Sequence, residues 1–245
     1  MNEEYLISYL ERYNSRSFDL KDDREKIRAL MNITMPENLD DVFYHKQDEY
    51  LKAINDRRKY CKANELVYEN GIALIKGDIT EIECDAIVNA CNSQLLGCFV
   101  PLHKCIDNAI HSFAGLQVRR YLMSVMKKQD YYEPNGRVKV TSGYNLKTRY
   151  IFHTVGPVYR GTNKDRLELR SCYQSCLNEA EKMGIKTIAF PSISTGIFAY
   201  PIEEAAKIAV DIVKEEIRDK DIKVIFVMFT ENDREIYERY LSADQ

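Results

Sequence analysis

From Leu66 to its end the chain alternates short β-branched runs with stretches of helical length, and this limits the fold more than anything else in the sequence. Leu66-Val67-Tyr68-Glu69, Ile72-Ala73-Leu74-Ile75-Lys76, Ala86-Ile87-Val88, Arg137-Val138-Lys139-Val140-Thr141, Tyr150 to Val155, Thr187-Ile188-Ala189-Phe190 and Lys223 to Phe229 read as strands. The Ala86 run has no polar face, as a strand buried on both sides requires. Helical sequence begins at Asp107 and continues in Leu116 to Met126, Asp165 to Met183, Ile202 to Ile217 and Arg234 to Leu241, with Gly184 stopping the longest. Strands alternating with helices predict an α/β fold: a mostly parallel sheet covered by helices on both faces.

The first 60 residues differ in kind. They contain no glycine, and Tyr5, Leu6, Tyr9, Leu10 and Tyr13 recur at helical spacing. Asp22 and Asp23 lead into Arg24 to Met31, acids placed where a helix N-terminus favours them, and Pro36 ends that helix. A third helix opens at Asp40 or Asp41 and runs toward Tyr60. The expected organisation is a helical extension over residues 1–65, packed on an α/β domain over residues 66–245.

Charge narrows the partners. Lys and Arg number 35 against 38 Asp and Glu, a net charge of −3, so the balance carries no signal for nucleic acid and any phosphate contact is expected as a local site. No apolar run approaches the roughly 18 residues of a membrane helix, so no membrane is expected. The acidic N-terminus is no signal peptide, and seven cysteines without a spaced framework fit a reducing compartment. A cytoplasmic location is the expectation.

Chemistry concentrates in Asn89 to Gly115, which follows one strand and leads into a helix. Cys98, His103 and Cys105 lie within eight positions around Pro101. Two thiolates and an imidazole suit Zn²⁺ and leave a position open, although cysteine is also an ordinary small buried residue. Asp107 is either a catalytic carboxylate or a helix N-cap. Asn89 and Asn92 can meet a ribose or simply form a turn, and His111 and His153 read as structural histidines. Gly77-Asp78-Ile79-Thr80 ends another strand, where an Asp accepts from an adenine amine or shapes a turn. Ser194-Thr195-Gly196-Ile197-Phe198 offers hydroxyls and a glycine as a diphosphate cradle, with Phe198 and Tyr200 to cover a sugar or base, or is a plain loop. It lacks the Gly-Lys-Ser/Thr of a P-loop.

Together these blocks resemble the macrodomain family over about residues 66 to 243. The likeness rests on Gly77 to Thr80, Ala86-Ile87-Val88-Asn89-Ala90, Asp107 to His111 with Ala114-Gly115, His153-Thr154-Val155-Gly156-Pro157, and Ser194 to Phe198. Where many macrodomains run a Gly-Gly-Gly-Val turn into Asp-Gly-Ala-Ile-His, this chain has Gly97-Cys98-Phe99-Val100 and inserts Pro101 to Ile106 before Asp107. That departure resembles the zinc-dependent branch and its pattern GCFxPxHxCIDNxIH, matched from Gly97 to His111.

The resemblance implies a three-layer α/β/α macrodomain with a mixed, mostly parallel sheet behind a helical extension. It implies one Zn²⁺ per chain on Cys98, His103 and Cys105, ADP-ribose as ligand, and a mono-ADP-ribosylated protein as substrate. Asp78 and Ile79 would hold adenine, residues 194–198 the diphosphate, and Asn92 and Asp107 the distal ribose, with Asn89 beside them. Family members remove mono-ADP-ribose from side chains, here expected as an ester to Asp or Glu, and some accompany a sirtuin-like transferase and a lipoylated carrier protein. Two other functions compete: a reader that binds ADP-ribosylated proteins without turnover, and an O-acetyl-ADP-ribose deacetylase with structural zinc. An open metal position argues against a pure reader, since binding alone does not need one.

Overall fold

The computed structural model describes residues 2–130 and 132–243. In chain order the elements are α1 (Glu3–Asn14), α2 (Asp23–Ile33), α3 (Asp41–Asn55), β1 (Cys61–Lys62), β2 (Ile72–Lys76), β3 (Ile82–Glu83), β4 (Ala86–Cys91), α4 (Ile106–Ala114) and α5 (Leu116–Met126). Then follow β5 (Val138–Ser142), β6 (Tyr150–Val155), α6 (Asn163–Lys182), β7 (Thr187–Phe190), α7 (Ile202–Ile217), β8 (Lys223–Met228) and α8 (Glu231–Ser242). Several helices start on capping side chains written into the sequence. Asp22 accepts from Arg24 N, Asp40 from Phe43 N, and Thr162 and Asp165 cap α6 reciprocally.

Six strands form one sheet in the order β2-β8-β7-β4-β6-β5, and only β5 runs antiparallel to its neighbour. The carboxyl ends of β2, β8, β7, β4 and β6 therefore open on a single edge, and the loops that leave them meet there. This is the mixed, mostly parallel sheet that the alternation predicts.

Each face of the sheet buries its own core. Ala86, Val88, Phe152, Ile188, Phe190, Val224 and Phe226 pack under α6, α7 and α8. Ile87, Cys91, Ile151, Val155, Ala189 and Ile225 face α4 and α5 through Ile110, Ala114, Val118 and Leu122. Alternate residues of β4 thus enter different cores, as the absence of a polar face in that run requires. Full burial of one such aliphatic side chain contributes roughly 1.5–3 kcal/mol.

The three N-terminal helices form a third cluster, with Leu6, Leu10, Ile27, Leu30, Phe43 and Leu51 packed around Leu116 of α5. Polar contacts bind them to the domain as well. Gln47 accepts from Leu116 N (2.9 Å) and donates to Gln117 (2.6 Å), while Asn55 donates to the carbonyls of Phe113 (3.2 Å) and Asn145 (2.7 Å). These helices are a docked layer and not a loose arm.

Two expectations fail locally. Leu66–Glu69 is not a strand: Val67 is 84% exposed, and only Glu69 bridges back to Ile72, across a tight turn at Asn70 (φ 49°) and Gly71 (φ 81°). Val67 and Tyr68 are β-prone, but so short a run makes a strand only where it pairs, and apart from the Glu69 bridge it does not pair with the β2 edge. Cys61–Lys62 instead pair in parallel with Ile82–Glu83, a ladder too short to leave a periodic signal. The third helix also stops at Asn55, short of Tyr60.

Candidate active site

At the end of β2, Gly77 N donates to Met228 O (2.9 Å), and Ile79–Glu81 make a single 3-10 turn. Asp78 caps that turn through one oxygen, Oδ1, which accepts from Thr80 N (2.8 Å) and Thr80 Oγ1 (2.7 Å). Its Oδ2 lies 3.5 Å from the Arg58 guanidinium, and the side chain is a third exposed. The turn and ligand roles are therefore compatible, one per oxygen. Ile79 is buried in the α4/α5-side core, so only its main chain is available at the edge. Phe229, expected as the last residue of a strand, instead follows β8 directly, next to the Met228 that accepts from Gly77, and is 75% exposed.

The loop after β7 is closed by Ala199 N to Gly196 O (2.9 Å) and Tyr200 N to Ser194 O (3.0 Å). Ser194 (φ 67°) and Ala199 (φ 55°) take left-handed conformations. Among the described residues the amides of Thr195, Gly196, Ile197 and Phe198 donate to no backbone carbonyl, so this one loop carries four N–H groups free for a ligand. The hydroxyls expected to line a cradle are turned away: Thr195 Oγ1 donates to Ser192 O (3.1 Å), and Ser194 is buried. Gly156, after β6, is required here, since a Cβ on it would sit 2.0 Å from Ser194 Oγ. Tyr159 N donates to Phe198 O (2.9 Å), locking the two loops together. Tyr200 is buried against Tyr159 (ring centroids 4.8 Å apart) and presents nothing to a ligand, whereas Ile197 is 76% exposed.

After β4 the half-buried Asn92 forms an Asx turn, accepting from Gln94 N (2.9 Å) and donating to Gly97 O (3.0 Å). Cys98, His103 and Cys105 come together: one ligand atom from each lies within 4.8 Å of the others, and no other group of this kind occurs among the described residues. His103 Nδ1 is buried with no hydrogen-bond partner. Burial first, and the neighbouring Cys98 and Asp107 after it, push the Cys105 thiol up to about 12. A cation between the sulfurs opposes that shift and favours the thiolates.

Asp107 is not the helix cap. Cys105 takes that place, its sulfur accepting from Asn108 N (3.4 Å), and Asp107 falls inside the first turn of α4 at 4% exposure. A thiol cap was not anticipated because cysteine is a weak acceptor. Asn89, expected either to meet a ribose or to form a turn, lies in β4 with no exposed surface. Its amide donates to Asp107 Oδ1 (2.8 Å) and to His153 Nδ1 (3.2 Å), so it acts on the site through Asp107. With Nδ1 accepting, His153 carries its proton on Nε2 and donates to Thr141 Oγ1 (3.0 Å).

This buried chain leaves Asn89 Oδ1, Asp107 Oδ2 and both nitrogens of His111 without partners. His111 Nε2 is 3.4 Å from Asp107 Oδ1, a proximity and not a bond, so His111 is buried but unsatisfied. Burial raises the Asp107 carboxyl to about 6 and drives His153 down to about 3 and His111 well below the usual imidazole range.

A family model described as Macro domain matches residues 88–209. A protein named protein-ADP-ribose hydrolase from Treponema medium is 38% identical over 253 residues, covering 97% of this chain and 97% of that protein. One of the same name from Staphylococcus aureus is 38% identical over 254 residues, covering 98% and 95%. The crystal structure of a Trypanosoma brucei macrodomain in complex with ADP-ribose superposes with a TM-score of 0.65 at 28% identity, over 85% of this chain and 92% of that one.

Proposed function

The chain belongs to the macro domain family, and from that premise we propose that it is a protein-ADP-ribose hydrolase. In this reading it removes mono-ADP-ribose from protein side chains, with an ester to Asp or Glu as the bond cleaved. The relatives that share its full length carry the hydrolase name. The observation that carries the reading is the meeting, at one sheet edge, of a Cys-His-Cys group with a loop of four unpaired amides.

The donor set fits zinc: two thiols, an imidazole nitrogen without another partner, and mutual distances within reach of one ion. Cys98, His103 and Cys105 would hold one Zn²⁺ per chain, which when bound supplies Lewis acidity and lowers the pKa of water toward about 7. The protein does the rest. Asp78 Oδ2 accepts from the adenine amine, Phe229 covers the ring, and the amides of residues 195–198 take the diphosphate. Those contacts fix the distal ribose against Asn92 and Asp107, and binding energy from the remote nucleotide positions the scissile bond. Asp107, raised to about 6 by burial and with Oδ2 unpaired, orients the sugar and exchanges a proton near neutral pH.

His103→Ala tests the enzyme reading against a reader. Hydrolysis of a mono-ADP-ribosylated protein should fall to background, while ADP-ribose affinity by calorimetry stays within about tenfold, or about 1.4 kcal/mol. Full turnover by a verified metal-free protein would sink the zinc chemistry. A wild type with no turnover of the modified protein leaves the reader and the O-acetyl-ADP-ribose deacetylase, which a deacetylation assay separates.

A further inference from the structure

The Cys98–Cys105 segment contains two non-glycine residues in the left-handed region, Phe99 (φ 54°) and Leu102 (φ 55°). A residue with a Cβ keeps that conformation only where its surroundings impose it. Both are held by elements traceable to α2, about seventy positions earlier in the chain. Leu102 N donates to Asn32 Oδ1 (3.0 Å), and Asn32, 2% exposed, is fixed in turn by donating to Ser112 Oγ on α4 (3.0 Å). The Phe99 ring lies under the buried Arg119 guanidinium (4.4 Å), which donates to the carbonyls of Met31 and Thr34 at the C-terminal end of α2.

A third tie comes from the same helix face. Arg28, one turn before Asn32, donates to Asn108 Oδ1 (2.9 Å). Asn108 is thereby oriented so that its amide reaches Val100 O (3.0 Å) and Cys98 Sγ (3.5 Å). Gly97 completes the fit, since a Cβ there would stand 2.9 Å from Arg119 Nη2. Every non-local polar contact in this set passes through α2 or through a residue that α2 holds.

We propose that α2 is a clamp that presets the metal-ligand loop, with Asn32 and Arg28 as positioning residues. Leu102 immediately precedes His103, so the backbone angle that Asn32 enforces decides where the imidazole points. Arg28 acts on Cys98 through Asn108. The N-terminal helices therefore serve the reaction and not only the stability of the domain. This rests on the reading of Cys98, His103 and Cys105 as metal ligands.

The test uses full-length wild type and the variants Asn32→Ala, Arg28→Ala and Asn55→Ala, each loaded with Zn²⁺ or Co²⁺. Asn55→Ala is the control, because it breaks an equally buried contact between the same helices and the domain without touching the loop. Chelator competition should show Asn32→Ala holding metal about 10–100-fold more weakly, the usual range for loss of an outer ligand-orienting contact. The visible Co²⁺ spectrum should change in Asn32→Ala and Arg28→Ala, and ADP-ribose affinity should stay within about twofold. Asn55→Ala should melt earlier yet keep wild-type metal affinity and spectrum. If wild type holds metal and both α2 variants hold it equally well, or Asn55→Ala loses it as much, the clamp is overturned. A wild type that holds no metal removes the ligand reading itself. Should Asn32→Ala fail to fold, the half-buried Arg28→Ala decides.

Discussion

At the Ser194–Phe198 loop the groups on offer are main-chain amides, whereas at the Cys98–Asp107 loop they are side chains. The first loop needs little beyond itself: two internal backbone bonds and a glycine opposite Ser194 shape it. The second draws on α2, α5, β4 and β6, through Asn32, Arg119, Asn89 and His153. Amides bind without titrating and survive most substitutions in their own side chains. A buried array of Asp, His, Cys and Arg is sensitive to any member and to pH. The difference suggests a division of labour, with affinity at one end and chemistry at the other.

The largest expected effect at the affinity end belongs to Asp78. Asp78→Ala should weaken ADP-ribose binding by roughly 1.5–3 kcal/mol, the scale of a hydrogen bond to a charged group, with metal content unchanged. Asp78→Asn keeps an acceptor for Thr80 and so separates loss of the turn from loss of the adenine contact. If calorimetry finds neither variant impaired, Asp78 is only a turn residue and affinity rests on the amide loop without it.

An intermediate effect is expected from pH at the chemical end. His153 is neutral when folded, held down to about 3 by burial, but an unfolded imidazole protonates near 6.5. The unfolded state then binds more protons, so this stability is present above about pH 6.5 and is lost as pH falls toward about 3. By about pH 5 the loss is on the order of 2 kcal/mol from this group alone. Asp107 opposes it: raised to about 6, it contributes stability that is present below about 3.8 and lost as pH rises through about 6. Melting of wild type and His153→Gln between about pH 7.5 and pH 5 isolates the first contribution. Equal losses in both proteins would contradict it.

The smallest effect tests the amides themselves. A Cβ on Gly196 meets nothing within 4 Å, so Gly196→Ala should melt within about 0.5 kcal/mol of wild type. It should nevertheless weaken ADP-ribose binding by roughly 1 kcal/mol, about fivefold, because the added methyl fills space a diphosphate must approach. Unchanged affinity would mean that the diphosphate lies elsewhere.

Some of this was legible in the sequence and some was not, for identifiable reasons. The sheet and its helices were readable because period-2 and period-3.6 patterns are imposed locally by the need to bury one face. Cys98, His103 and Cys105 were legible as candidates because they fall within eight positions, and the family resemblance favoured the metal reading; their meeting within 4.8 Å is a feature of the folded loop. Of the two roles open to Asp107 the cap fails, because which residue starts α4 depends on where the loop's turns place Cys105. The turn alternative for Asn89 fails because β4 runs three residues beyond the apolar Ala86-Ile87-Val88. Phe229 passed as strand sequence, since exposure is a property of the edge and not of the residue.

By itself, then, the sequence determined an α/β sheet and a set of amphipathic helices, each encoded by neighbours in the chain, and set Cys98, His103 and Cys105 close together along it. Only the tertiary structure decided that Asn32 holds Leu102, that Arg119 holds Phe99, and that Asn89 and His153 lie behind Asp107. These are contacts between residues some twenty to seventy positions apart. A hydrogen bond between distant residues leaves no periodic trace, because each partner alone is an ordinary buried polar side chain. Its meaning exists only once the sheet has brought the two within about 3 Å.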